Sequence, residues 1–251
     1  KYKNVLNEQE KLTLEYLSKT VLSGVRPDEL VILSQLLHRD HIEVADFIKE
    51  YKNTYGIEIS TSQVKEAIQV LQGHFVSKEA EYQKYCQIDI LENDPAGMIK
   101  RLQSYTERLT HIPFYTQVED IIKVGIARYK EKYLPGIKSE DPFVLYEKYS
   151  RRDVSLLMNC GKDLSSIMYG MKRIGNDVFI FITYHKEESQ DEKNYVDGKP
   201  DYADAFEDNL IFKWDSQIGK GLDSSYMKDV LGADRKHLFV KKSDAETSFY
   251  Y

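Results

Sequence analysis

The sequence is short of several things at once, and each shortage removes a class of protein. Only two of its 251 residues are cysteine, Cys86 and Cys160. That is too few and too far apart for a disulfide framework or a zinc site, so reduced thiols and a cytoplasmic setting are expected. No apolar run approaches the roughly 20 residues of a membrane-spanning helix. Nothing at the start reads as a signal peptide, and no membrane partner is expected. Positive charge is not in excess either, since 35 Lys and Arg stand against 41 Asp and Glu, a net charge of −6. This balance excludes a chain coated uniformly in cations, though not a local basic face. From residue 141 onward there are 16 cations and 20 acids, so both halves share the acidity. The sequence contains no GxxxxGK[ST] run and no GxGxxG turn. It therefore encodes neither common nucleotide site, and the chain by itself is not expected to be an ATPase.

What is abundant is tyrosine, at 19 residues. Tyrosine buries a ring while keeping a polar tip, which suits sheet surfaces and contact patches. The length allows two ordinary domains, each with its own core, and the apolar period divides the chain in that way. Up to about residue 133 the period is helical. Asn7 and Glu10 have capping-box spacing ahead of Leu14, Leu17 and Val21, which predicts a first helix stopped at Gly24. A second is predicted from Pro27 through Leu30, Leu33, Leu36 and Leu37. A third runs from about Ile42 to Gly56, and a fourth from Ser60 or Thr61 with Val64, Ala67, Ile68 and Leu71 inward. Asp94 and Pro95 open another with Met98, Leu102, Tyr105 and Leu109, and a last follows Pro113. Residues 45–72 read as helix, turn, helix. A groove-reading unit is one interpretation, but Lys65, Gln63 and Gln69 are a thin offering to a groove, and plain packing of two amphipathic helices is the preferred reading.

The run LPGIKSEDP breaks both periods and is the expected linker, with a boundary at residue 138. Beyond it the period shortens toward two. Strands are predicted at 143–149, 169–174, 178–184 and 210–214, with a last hairpin joining 238–242 and 247–251. Ser150 caps a short helix that carries Asp153. Gly175, Asn176 and Asp177 give a strong hairpin signal. The continuously apolar run 178–182 suggests a strand buried on both faces, and the polar stretch 187–201 reads as a loop. The fold class expected is α+β: an all-α helical bundle over residues 1–138, then a β-rich domain over 139–251 built as a curled sheet or partly open barrel with one or two helices.

Catalytic constellations are weak. Asp201, Asp204, Glu207 and Asp208 are the residue types that hold divalent metal, but acids alternating in a polar loop are usually just solvated, and no metal site is assigned. No catalytic residue is assigned either. The six histidines are scattered without ligand spacing. Cations and rings do gather at element ends, in a combination that can grip a phosphate backbone and stack on an unpaired base. They are Arg151 and Arg152 at a helix start, Lys172 and Arg173, Tyr184, His185 and Lys186, Lys213 with Trp214, and Lys241 with Lys242. The plain alternative is that Lys241 and Lys242 are solvated gatekeepers beside an apolar strand and that Trp214 is a core residue.

Three runs follow one another in order: YSRRDVSLLMN at 149–159, DVFIFITYHK at 177–186 and KHLFVKKSDAETSFYY at 236–251. Over residues 143–251 this order resembles the C-terminal domain of unknown function of long bacterial superfamily II DEAD/DEAH-box helicases, many of which carry an N-terminal phospholipase-D-like nuclease. The first half resembles the helical region that precedes that domain. A chain that starts at Lys1 and stops inside an apolar run is accordingly expected to be a piece of a larger protein. The resemblance implies a non-catalytic accessory region of an ATP-dependent helicase, concerned with DNA binding or target recognition in restriction or phage defence. ATP and Mg would belong to the parent motor, with no cofactor in this segment. DNA, the motor domains of the same chain, and a nuclease module or second copy are the implied partners. The competing expectation is a regulatory protein-interaction module that docks on the motor or a nuclease, which the acidity and the tyrosines suit equally well.

Overall fold

A computed structural model describes residues 5–92, 97–137, 141–185, 205–206, 211–213 and 221–251, with the backbone alone at 184–185 and 205–206. The chain forms two compact units. One comprises Lys1–Glu147 and Arg151–Ser166, the other Lys148–Ser150 and Ile167–Tyr251. The boundary expected at residue 138 falls outside the described residues.

The helical unit follows its capping signals closely. Helix α1 (Glu8–Thr20) begins with the expected box, in which Asn7 Oδ1 accepts the Glu10 N–H and Glu10 Oε2 accepts the Asn7 N–H, each at 2.8 Å. These bonds satisfy amides that the first turn leaves without partners. Helix α2 (Asp28–Leu36) follows Pro27. Helix α3 (Val44–Tyr55) ends on Gly56, whose left-handed φ of 69° lets its N–H reach the Lys52 carbonyl. Helix α4 (Thr61–Leu71) carries a second box between Ser60 and Gln63. Helices α5 (Glu79–Tyr85), α6 (Gln103–Leu109) and α7 (Ile112–Arg128) complete the first stretch, and a π-helical turn at Tyr129–Tyr133 extends α7. Helix α8 (Arg151–Leu157) belongs to the same unit.

Two sequence expectations are corrected here. Residue Ile42 is not helical but lies in strand β1 (His41–Glu43), which pairs antiparallel with β2 (Met98–Lys100), Ile42 opposite Ile99. Met98 likewise leaves the helix predicted around it, which starts only at Gln103. Helical spacing at Ile42 and Met98 is overridden by a pairing partner more than fifty residues away, which no local pattern contains. The proposed opening of that helix at Asp94 and Pro95 lies outside the described residues.

The core of this unit is mostly apolar. Leu17, Leu30, Leu36, Phe47, Val64, Leu71, Phe114 and Val118 are fully buried, each worth about 1.5–3 kcal/mol of transfer from water before entropy is counted. Tyr16 is equally buried and donates its hydroxyl to the Val70 carbonyl at 2.6 Å. Helix α7 approaches the turn after α1 so closely that a Cβ on Gly24 would stand 2.4 Å from the Gly125 carbonyl oxygen, and one on Gly125 would stand 2.7 Å from Leu30. Glycine at both positions permits the contact.

The second unit contains a five-stranded open sheet in the order β3-β9-β8-β5-β4. Its strands are β3 (Lys148–Tyr149), β4 (Met171–Ile174), β5 (Asp177–His185), β8 (Arg235–Ser243) and β9 (Phe249–Tyr250). The short strands β6 (Ala205–Phe206) and β7 (Phe212–Lys213) pair separately, and helix α9 is Ser225–Leu231. The β4–β5 hairpin turns on Gly175 and Asn176, with Ile174 opposite Asp177 and Gly175 at φ 58°, as the sequence predicts. The β8–β9 pairing, Val240 opposite Tyr250, also matches. The strand expected at 143–149 shrinks to its last two residues, because local bonds turn the chain first. Phe143 N–H donates to the Asp141 side chain at 2.9 Å and Glu147 N–H to the Val144 carbonyl at 3.2 Å.

The central pair β5–β8 is parallel, Ile180 opposite Leu238, and so requires a crossover connection. One face packs Met171, Val178, Ile180 and Ile182 against Val230 and Ala233 around α9. The other face is aromatic. Among the described residues β3 and β4 are edges, so the sheet does not close into a barrel. Among the described residues no helix is long and apolar enough to cross a membrane.

Candidate functional site

The parallel strands β5 and β8 place like beside like along the aromatic face. Every second register pair is in contact: Asp177 with Arg235, Phe179 with His237 and Phe181 with Phe239. The His237 ring stacks on Phe179 at 4.8 Å with planes 9° apart, and Phe239 lies 5.1 Å from Phe181 at 22°. Alternation puts these side chains on one face, and the parallel register brings each pair level.

At the start of the two strands lies the most structured polar cluster of the sheet. Arg235 donates to both Asp177 oxygens, Nε at 2.5 Å and Nη2 at 2.9 Å. His237 Nε2 stands 3.1 Å from Asp177 Oδ1, and its Nδ1 stands 3.0 Å from the Tyr251 hydroxyl. A carboxylate only accepts, so Nε2 carries the hydrogen, and in the neutral ring Nδ1 accepts from the phenol. Burial alone would raise the Asp177 carboxyl, but the hydrogen bonds of Arg235 and His237 and the Arg235 charge outweigh it and hold it below the usual aspartate range. Asp177 is 5% exposed and His237 3%. Chemically, the chain Tyr251–His237–Asp177 polarises a phenol, while its sealed imidazole suits fastening strands better than exchanging protons with a ligand.

The far end of the pair is basic and more open. Lys241 sits opposite Thr183, and Ser243 opposite His185, so the backbone positions of Tyr184 and His185 adjoin Lys241 and Lys242. Lys241 Nζ donates to the Glu246 carbonyl at 3.1 Å, lies 3.4 Å from Asp244 and covers the Phe249 ring at 5.5 Å. The Lys242 N–H donates to Glu246 at 2.7 Å while its side chain is exposed. Glu246 is held below the usual carboxylate range by that N–H and by Lys148.

The other sequence-predicted residues separate. Lys172 and Arg173 lie on β4 opposite Phe179 and Val178, some six residues from the basic end, or about 20 Å at roughly 3.3 Å per residue. Arg173 donates to the carbonyls of Gly175 at 3.0 Å and Gly232 at 3.3 Å, closing the end of α9. Lys213 is exposed on β7 opposite Ala205. Arg151 and Arg152 belong to the helical unit, where Arg152 binds Asp163 at 2.8 Å and Glu81 at 3.2 Å instead of pointing to solvent. Lys186 and Trp214 lie outside the described residues, as do Asp201, Asp204, Glu207 and Asp208. Among the described residues no three ligand-type side chains are grouped to hold a metal.

Sequence reasoning missed Asp177, Arg235, His237 and Tyr251. Asp177 was legible only as a turn residue and His237 only as a strand residue, 60 positions apart. It also missed a second pair, buried Glu10 with the partly exposed His111 Nδ1 at 2.8 Å, beside an open depression lined by Gln9, Ser104 and Arg108. A separation of 101 positions leaves no local signal.

Residues 1–133 match the family model described as Domain of unknown function (DUF8090). Residues 143–251 match the one described as Domain of unknown function (DUF3427). No curated protein matches the chain.

Proposed function

The chain belongs to the DUF8090 family, and from that premise we propose that it is the non-catalytic accessory region of a DNA-directed, ATP-dependent superfamily II helicase. In this reading the helical unit adjoins the motor, the motor supplies ATP and Mg chemistry, and the sheet unit recognises DNA for restriction or phage defence. The supporting observation is the basic end of the parallel pair, where register sets Tyr184 and His185 beside Lys241 and Lys242 with the Lys242 side chain exposed. Cations with rings at a strand end suit a phosphate backbone next to an unstacked base. The ordered resemblance of the runs at 149–159, 177–186 and 236–251 supplies the biological setting.

Binding of the chain to short labelled single strands and duplexes across a salt series tests this. The logarithm of the affinity should fall linearly with log salt, and Lys242→Ala should lower the slope by about one. No binding at low salt removes the proposal. A second reading, a protein-docking module, is favoured by the internal engagement of Arg152, Arg173 and Lys241 in a chain of net charge −6. Self-association, or DNA binding that appears only after the upstream motor is added, favours that reading instead.

A further inference from the structure

Residues 151–166 lie inside the stretch matched by the second family model, yet they fold as part of the helical unit. The segment is closed on itself. Leu164 N–H donates to Ser155 Oγ at 3.0 Å, and Arg152 Nε and the Ser165 N–H both bond the Asp163 carboxylate. Left-handed residues Asn159 (φ 49°) and Gly161 (φ 66°) turn the chain back after α8.

The closed segment meets a row of partners from the first stretch of the chain. Arg26, only 8% exposed, donates Nη1 to the Leu156 carbonyl at 2.5 Å and to Asn159 Oδ1 at 2.8 Å, while Glu29 binds the rest of its guanidinium. Burial raises the Glu66 carboxyl, while the Arg26 charge and the backbone of Gly161 both favour its ionised form. The Asp163 N–H donates to the Phe75 carbonyl at 2.6 Å, Ser77 Oγ donates to the Asp163 carbonyl, and Glu81 binds Arg152. Leu156, 2% exposed, joins the helical core. A buried guanidinium left without these acceptors would carry an unscreened charge into an apolar interior.

We propose that the first 147 residues form a peptide-receiving groove, running from Arg26 along α4 and the α4–α5 loop to Glu81, and that its occupant is the chain's own segment 151–166. Belonging by sequence to the C-terminal family domain, the segment is the fastening by which that domain is held to the helical one. The partner it fits is a short helix followed by a left-handed return, with an apolar residue at the Leu156 position and an Arg–Asp pair at its two ends.

A protease site inserted at the turn between Leu145 and Tyr146, which are 59% and 83% exposed, tests this in the full folded chain. After cutting, the two pieces should co-elute in size exclusion at micromolar concentration. A synthetic peptide of residues 150–167 should release the C-terminal piece. In an Arg26→Ala, Arg152→Ala chain, checked by circular dichroism to be folded before cutting, the association should weaken at least tenfold. Separation of the wild-type pieces on cutting overturns the proposal, as does association indifferent to both the peptide and the double substitution.

Discussion

The helical unit and the sheet unit each bury a charged cluster, but the two clusters are located by different means. In the helical unit Arg26 is buried against Glu29, three residues on, and against Leu156 and Asn159, 130 and 133 residues on. No strand ladder joins those segments, and side-chain bonds, with a backbone bond from Asp163 to the Phe75 carbonyl, place them. In the sheet unit Asp177 meets Arg235 and His237 across two strands whose backbones are already in register. There the side-chain bonds reinforce a position that the ladder also sets, and a one-residue slip would turn Asp177 to the other face. A buried charge that carries a tertiary contact by itself should therefore be more costly to remove than one duplicated by strand pairing.

The largest expected effect follows directly. Arg26→Met leaves Glu29 buried without its counter-charge and the Leu156 carbonyl with one donor fewer, a loss of about 3–5 kcal/mol. It should appear in urea unfolding as a lower midpoint at unchanged slope. His237→Phe keeps the ring stacked on Phe179 while removing both hydrogen bonds, with Arg235 still on Asp177. A smaller loss of about 1–3 kcal/mol is expected by the same measurement, and a loss equal to that of Arg26→Met would break the comparison. Ser60→Ala, which unmakes one capping box of the helical unit, should cost about 1 kcal/mol. It calibrates what a purely local bond contributes.

The smallest effect is one of slope. The Asp177 carboxyl is held below its ordinary value in the folded protein. Its contribution is thus complete above about pH 3.9 and is lost as pH falls through the folded value, because the unfolded chain takes up the proton first. Asp177→Asn should flatten the acid limb of stability against pH. An unchanged limb would show that Arg235 and His237 do not hold the carboxylate.

Much of the helical unit was legible because its signals are short. Asn7 with Glu10, Ser60 with Gln63, Gly56 as a stop and Pro27 before α2 all act within four residues. The β4–β5 hairpin was equally legible from Gly175 and Asn176. Strands β1 and β2 were not, since three residues with one distant partner carry no period. The candidate site was half legible. Lys241 and Lys242 could be read as a basic pair, but their position beside Tyr184 and His185 depends on the parallel register. Arg152 read as an exposed helix start because its acid partners, Glu81 and Asp163, are not its sequence neighbours.

By itself the sequence determined the capped starts of α1 and α4, the glycine stop of α3, where the tight turn falls and which runs are buried, since φ, ψ and the orphan amides of a capped first turn are settled by the nearest few residues. Tertiary structure alone decided that β5 and β8 run parallel, that Asp177, His237 and Tyr251 form a chain, and that residues 151–166 seat on Arg26. Those outcomes depend on buried polar groups finding acceptors far along the chain, and a group's need for a partner does not say which distant residue will meet it.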